Sequence, residues 1–126
     1  MTSYSLRSHL VKLLLAILQP PKLDAVRKAL EHIGVESMTV CDAQGYARQR
    51  GQKPTYRGHE YKANLLRKVA VEILVHDDRV ERVIETIGDV ARSGEAGSIG
   101  DGKVFVLPAV DAIRLSDGVR GEEAVG

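Results

Sequence analysis

The hydrophobic positions along the chain follow patterns that are typical of strands and helices in alternation. A compact apolar run at 12–18 predicts a buried strand, which Pro20 and Pro21 end. Apolar residues then recur at helical spacing over 23–33, and Gly34 follows as a helix stop. The first part of the chain is therefore expected to form a strand and then a helix.

The middle of the chain predicts two more strands and a second helix. Met38 and Val40 continue as strand, and alternating apolar residues at 69–75 predict another. The buried stripe of the second helix consists of Val80, Val83, Ile84, Ile87 and Ala91. Asp77 and Asp78 precede this stripe and are suited to cap the helix.

The C-terminal part predicts one last strand. Strand character returns at 104–107, and it is expected to continue past Pro108 through a bend or along an edge, at Val110, Ile113 and Leu115. Residues 118–126 have the composition of a loose tail. The whole order is strand, helix, strand, strand, helix, strand, which predicts an α+β fold of the ferredoxin-like βαββαβ type.

The pattern collapses from about Gly45 to Asn64, and this stretch predicts a long loop between strands 2 and 3. A loop of this length is uncommon in a compact domain and is usually functional. It interleaves basic and aromatic side chains, which is one way of binding nucleic acid: Arg48, Arg50, Lys53 and Arg57 with Tyr46, Tyr56 and Tyr61. However, 18 Lys and Arg against 17 Asp and Glu give a net charge of +1, which disfavours a nucleic-acid binder.

The composition of the 126 residues predicts one small domain with a real core, since 44% of them are hydrophobic. A domain of this size gains from self-association. The single cysteine, Cys41, is expected to pack in or beside a strand and suits a reducing compartment. The apolar run at 12–18 is too short to span a bilayer, and no signal-peptide cleavage site follows it. We therefore expect a cytoplasmic protein with no membrane insertion.

A glycine-dense segment at 94–103 carries the clearest chemical signal. Its end matches the letters G-x-x-x-x-G-K, but the segment follows a helix, and Val104 rather than Ser or Thr follows Lys103. A P-loop NTPase is therefore rejected. Glycines still allow backbone N–H groups to converge on an anion, and Lys103 adds a positive charge. Phosphate binding and a plain flexible connector both remain open on this pattern alone.

Catalytic and metal sites are not predicted. The chain has no local nucleophile–base pattern, and its four histidines are scattered without metal-ligand spacing. His32 is expected to be an exposed helix residue.

Four segments together resemble the PII signal-transduction family from about Lys12 to Ile113. The segments are Pro20 to Val26, Gly45 to Gly51, Tyr56 to Tyr61 and Ile99 to Val106. The resemblance implies a homotrimer of ferredoxin-like subunits over 1–126, with an N-terminal extension at 1–10, a long effector and partner loop at 47–64, a nucleotide loop at 94–103 and a C-terminal tail at 116–126. It also implies ATP, ADP or AMP in the clefts between subunits, with magnesium as an option beside ATP.

The resemblance also implies roles for particular residues. The nucleotide-binding set is Arg48, Gln49, Gly100, Asp101, Gly102, Lys103 and Arg114, with Arg114 reaching a neighbouring subunit. The effector set is Gln49, Lys68 and Ala47, and the partner or modification loop contains Tyr56, Arg57 and Tyr61. His59 replaces a serine that is phosphorylated in other members, so that modification is excluded.

Several departures from the family pattern leave the effector open. About three extra residues lie near 95–97, Ser98 and Ser116 replace basic residues, and Ala47 replaces a common glycine. These changes favour a divergent branch resembling carboxysome-associated proteins, which respond to ADP or AMP and bicarbonate. The alternative is a nitrogen regulator that senses ATP, ADP and 2-oxoglutarate. In both cases a membrane transporter or a metabolic enzyme is the expected partner. An alternative of another class is an enzyme of the same fold that hydrolyses nucleotide slowly.

Overall fold

The computed structural model describes residues 10–47 and 64–126. Four strands and two α-helices make up this part of the chain: β1 Val11–Leu18, α1 Leu23–His32, β2 Thr39–Ala47, β3 Asn64–His76, α2 Val80–Ala91 and β4 Gly102–Pro108. The strands form one antiparallel sheet in the order β2-β3-β1-β4, with β1 in the interior as the apolar run predicts. The predicted ferredoxin-like arrangement is confirmed.

The core lies between the two helices and one face of the sheet. Alternate residues of β1 and β3 supply its sheet side, and the predicted helical stripes supply the other side: Leu14, Ala16, Leu18, Val69, Val71, Ile73 and Val75 pack against Val26, Leu30, Val80, Val83, Ile87 and Ala91. Ile84 packs against this core while partly buried. His32 ends α1 and is exposed, as expected. Among the described helices, none is both long enough and apolar enough to cross a bilayer.

The other face of the sheet, which we call the open face, is also apolar. Residues that pair across antiparallel strands share a face. Leu15 pairs with Phe105 and Leu13 pairs with Leu107, so these residues face away from the helices. Phe105 is 47% exposed and Leu107 is 42% exposed. The chain therefore presents a second hydrophobic surface that its own helices do not cover.

The predicted capping of α2 by Asp77 and Asp78 is wrong. Residues 77–79 form a 3-10 turn before α2, and the residue at the N-cap of α2 is Arg79, whose side chain makes no capping hydrogen bond. Instead, Asp77 Oδ1 accepts a 2.5 Å hydrogen bond from Lys12 Nζ. The carboxylate thus joins the start of β1 to the turn rather than ending the helix.

The predicted continuation of the last strand past Pro108 is also wrong. β4 ends at Pro108, which pairs with Lys12 near the start of β1, and Ile113 makes only an isolated bridge with Arg120. Residues 118–126 are not loose either. They include a 3-10 turn at Gly121–Ala124, and Ala124 is only 9% exposed.

The long loop is shorter at its start than the pattern predicts. β2 continues through Gly45 to Ala47, and β3 begins at Asn64, well before the expected strand at 69–75. Cys41 lies in β2, as expected, but its side chain is exposed rather than packed.

Candidate functional site

The glycine-rich loop is shaped by a single carboxylate. Asp101 Oδ2 accepts hydrogen bonds from the backbone N–H of Ser98 at 2.7 Å and of Ser93 at 2.9 Å. Its other oxygen accepts a 2.5 Å bond from the Ser93 hydroxyl. The Ser93 hydroxyl, and after it the two backbone N–H groups, lower the pKa of Asp101 below its ordinary value. The carboxylate is therefore occupied within the loop, and only the backbone of Asp101 is available for the predicted binding role.

Gly102 fixes the loop against the sheet. A Cβ atom at this position would lie 1.9 Å from the carbonyl oxygen of Ile17, and its φ angle of +121° favours glycine. Gly102 also pairs with Leu18 at the end of β1. The loop therefore enters β4 in close contact with the backbone of β1. Only glycine at position 102 leaves room for this contact.

The structure brings the predicted nucleotide and effector lysines to the same face of the sheet. Lys103 pairs with Ile17, which also pairs with Ala70. Lys68 lies two residues before Ala70, so it shares that face because side chains alternate along a strand. Both lysines therefore lie on the open face, at the end of the sheet where the glycine-rich loop begins β4.

The carbonyl oxygen of Gly100 joins these elements. It accepts a 3.2 Å hydrogen bond from Lys68 Nζ and a 2.6 Å hydrogen bond from Gln19 Nε2. The sequence pattern does not identify Gln19 as part of the site. Gln19 directly follows Leu18, the last residue of β1, and Leu18 pairs with Gly102. This position at the end of β1, next to the loop, is the feature from which its place in the site could have been predicted.

Gly45 makes room for Lys68. A Cβ atom on Gly45 would lie 3.1 Å from Lys68 Cγ and 3.3 Å from Lys68 Cε, so the lysine stem lies across the glycine. From the sequence, Gly45 is expected at the start of the loop and has no predicted role in the effector site. Gly45 of β2 and Lys68 of β3 are diagonal neighbours on paired strands, which explains why the glycine lies under the lysine side chain.

Arg114 makes its side-chain hydrogen bonds within the C-terminal segment of its own chain. Its guanidinium donates three hydrogen bonds to Asp117, between 2.8 and 3.1 Å, and one of 3.2 Å to the carbonyl oxygen of Glu123. The Asp117 carboxylate raises the pKa of Arg114. The structure therefore places Arg114 in the folded C-terminal segment rather than in a strand.

Other predicted site residues lie outside the described residues. These are Arg48, Gln49, Tyr56, Arg57, His59 and Tyr61. Ala47 is the last residue of β2, and its side chain also lies outside the description. In the part of the chain that is described, no group of three or more His, Cys, Asp or Glu side chains could hold a metal ion.

A cleft of about 530 Å³ lies between the glycine-rich loop and α2. Its polar lining includes Arg92, Ser98 and Lys103, and its apolar lining includes Ile84, Ile87 and Val104. Arg92 is not among the site residues predicted from the sequence. A smaller cavity of about 220 Å³ lies near Gly34 and contains none of the predicted site residues.

Comparison with known proteins shows which family this chain resembles. The family model described as Nitrogen regulatory protein P-II matches residues 11–119. Proteins of that name from Azospirillum brasilense and Rhodospirillum rubrum are 43% and 46% identical to the chain over 110 residues. Each match covers 87% of this chain and 96% of the relative.

Solved structures agree with this assignment. The chain resembles Arabidopsis thaliana PII bound to citrate, with a TM-score of 0.73 and 37% identity over 95% of this chain and 94% of that one. It also resembles B. subtilis GlnK in an ATP complex, with a TM-score of 0.75 and 27% identity over 91% of this chain and 95% of that one. The chain therefore belongs to the nitrogen regulatory protein P-II family.

Proposed function

We propose that this protein is a non-enzymatic regulator that binds an adenine nucleotide at the glycine-rich loop and a small anionic effector at Lys68. The observation that carries the proposal is the shared hydrogen bonding at Gly100, where an effector lysine contacts the loop that ends at Lys103. A ligand at either position therefore changes the surroundings of the other. Such mutual dependence is what a sensor of two metabolites requires.

The chemistry of the loop suits a phosphate group. Gly100 and Gly102 allow a close backbone approach, and the exposed Lys103 supplies a positive charge on the open face. The carboxylate of Asp101 stays negatively charged, but it is directed at Ser93 and Ser98 of its own loop, where three donors partly offset its charge. The ATP complex of B. subtilis GlnK, a related protein, supports ATP, ADP or AMP as the ligand.

A second copy of the chain completes the site in this proposal. The open face exposes Phe105 and Leu107 beside the predicted ligand lysines, and burial of such a surface favours association. We propose a homotrimer in which the open faces of three copies meet. Arg114 of a neighbouring copy then contributes to the nucleotide site, after exchanging Asp117 for phosphate.

The effector is proposed to be a carboxylate-type anion that pairs with Lys68. The citrate bound to Arabidopsis PII supports this class of ligand. The names of the relatives favour nitrogen regulation and 2-oxoglutarate. Bicarbonate, with a link to inorganic carbon uptake, remains the second candidate because Ala47 and the lengthened nucleotide loop depart from the family pattern.

The output of the sensor is proposed to be the segment at 47–64, which contains Tyr56, Arg57 and Tyr61. Its two ends are fixed by β2 and β3, and Lys68 of β3 contacts the nucleotide loop. A ligand that interacts differently with two arrangements of this segment shifts their populations. A membrane transporter or a metabolic enzyme then binds one arrangement preferentially.

Calorimetry of the wild-type protein and of two lysine variants tests this function. ATP, ADP and AMP are titrated alone and with 2-oxoglutarate or bicarbonate. Lys103→Ala is expected to lower nucleotide affinity about tenfold or more, because hydrogen bonds to charged groups contribute roughly 1.5–3 kcal/mol. Lys28→Ala, which removes an exposed lysine of α1 paired with Asp24, is the control and should bind normally. Equal affinities for all three proteins would contradict the proposal.

A further inference from the structure

Arg92 is held between the end of α2 and the glycine-rich loop. Its Cγ lies 3.0 Å and its Cδ 3.5 Å from the point where a Cβ atom on Gly97 would lie. One terminal nitrogen lies 3.4 Å from the corresponding point on Gly88. The arginine stem therefore packs against the loop, and its guanidinium turns back along the helix into the cleft.

The loop is arranged around this side chain. Gly97 has a φ angle of +72° and no side chain, which leaves the space that the Arg92 stem occupies. Asp101 accepts hydrogen bonds from Ser93 and Ser98, the residues that directly follow Arg92 and Gly97 in the chain. The bonds that shape the loop therefore hold together the two segments between which the Arg92 stem packs.

The charge of Arg92 is only weakly engaged. Its nitrogen lies 3.6 Å from an Asp89 oxygen, and the arginine and aspartate side chains are 49% and 67% exposed. An exposed ion pair of this length contributes little and is exchanged easily. A guanidinium presents a planar fork of donors that matches phosphate oxygens. Arg92 is thus a pre-positioned cation that can exchange its present partner for an anion.

We propose that Arg92 is a phosphate-binding residue that contacts the distal phosphates of the nucleotide. This inference rests on the proposed function. Lys103 lies on the open face, whereas Arg92 lies beside α2, so the two cations flank the glycine-rich loop from opposite sides. The cleft beside α2 is lined by Arg92 and extends to Lys103 at the start of β4, whose side chain lies on the open face. A polyphosphate that crosses the end of the loop reaches both cations, whereas a single phosphate at Lys103 does not. Arg92 therefore determines the preference for triphosphate over monophosphate.

Substitution of Arg92 by Met is the most direct test, because Met retains an unbranched apolar stem against Gly97 and removes the charge. The matched control is Arg82→Met, which removes an exposed arginine on the same helix outside the cleft. Affinities for ATP, ADP and AMP are measured by calorimetry. Arg92→Met is expected to lower ATP affinity about tenfold or more, ADP affinity less and AMP affinity hardly at all. Arg92→Lys should recover part of the ATP affinity, and Arg82→Met should match the wild type.

A purely structural role gives a different result. A cation at the end of a helix also stabilises the helix dipole, but that effect does not depend on the number of phosphates in a ligand. Equal losses for the three nucleotides, or no loss, would overturn the inference. If wild-type protein binds nucleotide and Lys103→Ala weakens it while Arg92→Met does not, only this inference fails. If the wild type binds no nucleotide, the proposed function fails as well.

Discussion

The amine of Lys68 donates a 3.2 Å hydrogen bond to the carbonyl oxygen of Gly100, joining β3 to the glycine-rich loop. Gln19 donates to the same oxygen from the end of β1. An anion that attracts Lys68 must compete with this carbonyl, whereas Gln19 can keep its bond. The contact therefore physically connects Lys68, the proposed effector residue, to the glycine-rich loop, the proposed nucleotide site.

Lys68→Ala is expected to uncouple the two ligands. Removal of the amine eliminates the positive charge that would pair with the effector, but it leaves Lys103 and the Gln19 contact in place. Nucleotide affinity should remain within a few-fold of wild type, while its dependence on 2-oxoglutarate or bicarbonate disappears. Calorimetry with and without each effector measures both effects. Arg67→Ala, which alters the neighbouring residue on the other face of β3, should retain the dependence. A Lys68 variant that still responds to the effector would show that the amine is not its binding group.

Gly102→Ala is expected to destabilise the protein and deform the loop. The new methyl group would lie 1.9 Å from the Ile17 carbonyl oxygen, and the backbone conformation is strained for any side chain. Such strain costs about 1–3 kcal/mol, and relief of the clash adds to it. Urea unfolding measures the loss. Gly118→Ala is the control, because Gly118 also has a positive φ but has no atom within 4 Å of the added methyl. Similar losses for the two variants would show that contact with β1 is unimportant.

Asp101→Asn tests how the loop is held together. Hydrogen bonds from Ser93 and Ser98 lower the pKa of Asp101 in the folded state below the ordinary value of 3.8. The unfolded chain therefore binds the proton more readily, so this carboxylate stabilises the fold above that value and loses its contribution as the pH falls through the folded pKa. Wild type should be more stable than Asp101→Asn near neutral pH, and the difference should shrink below about pH 4.

Urea unfolding of both proteins across the acid range measures this difference. Asp24, Asp111 and Asp117 also have lowered pKa values, but they are present in both proteins and largely cancel from the comparison. A stability difference that stays constant as the pH falls would mean that the ionised form of Asp101 is not what the loop requires.

Phe105→Asp is expected to separate the copies of the chain. It places a charge on the open face, where the proposed association would bury it, and an unpaired buried charge is strongly unfavourable. Light scattering should show a trimer for wild type and smaller species for the variant. Leu65→Asp places the same charge at another exposed apolar position, which pairs with Tyr46 and lies on the other face. That control should remain trimeric, and dissociation of both variants, or of neither, would argue against the open face as the interface.

The sequence predicted the fold well because its strands and helices carry strong periodic signals. The run at 12–18 and the stripe from Val80 to Ala91 occupy the core as expected. The C-terminal segment was not predicted, because its order depends on polar contacts such as Arg114 with Asp117 and Arg120 with Asp111. Hydrophobic periodicity carries no information on contacts of this kind.

The candidate site was predicted only in part for a similar reason. Gly102, Lys103 and Lys68 are site residues predicted from motifs and resemblance, and they stay predictions. Gln19 and Arg92 neighbour them only through tertiary contacts, which the sequence pattern does not reveal. The role of Asp101 was also not foreseen. Its carboxylate binds donors of its own loop, and the reach of a side chain within a loop cannot be derived from spacing alone.

A crystal structure of the protein grown with ATP tests the central claim most directly. The account predicts that the phosphates contact the backbone at 98–102 and the amine of Lys103, at a junction where Arg114 of a neighbouring copy also reaches them. Nucleotide bound elsewhere on the surface, or a loop that remains empty at saturating ATP, would contradict it.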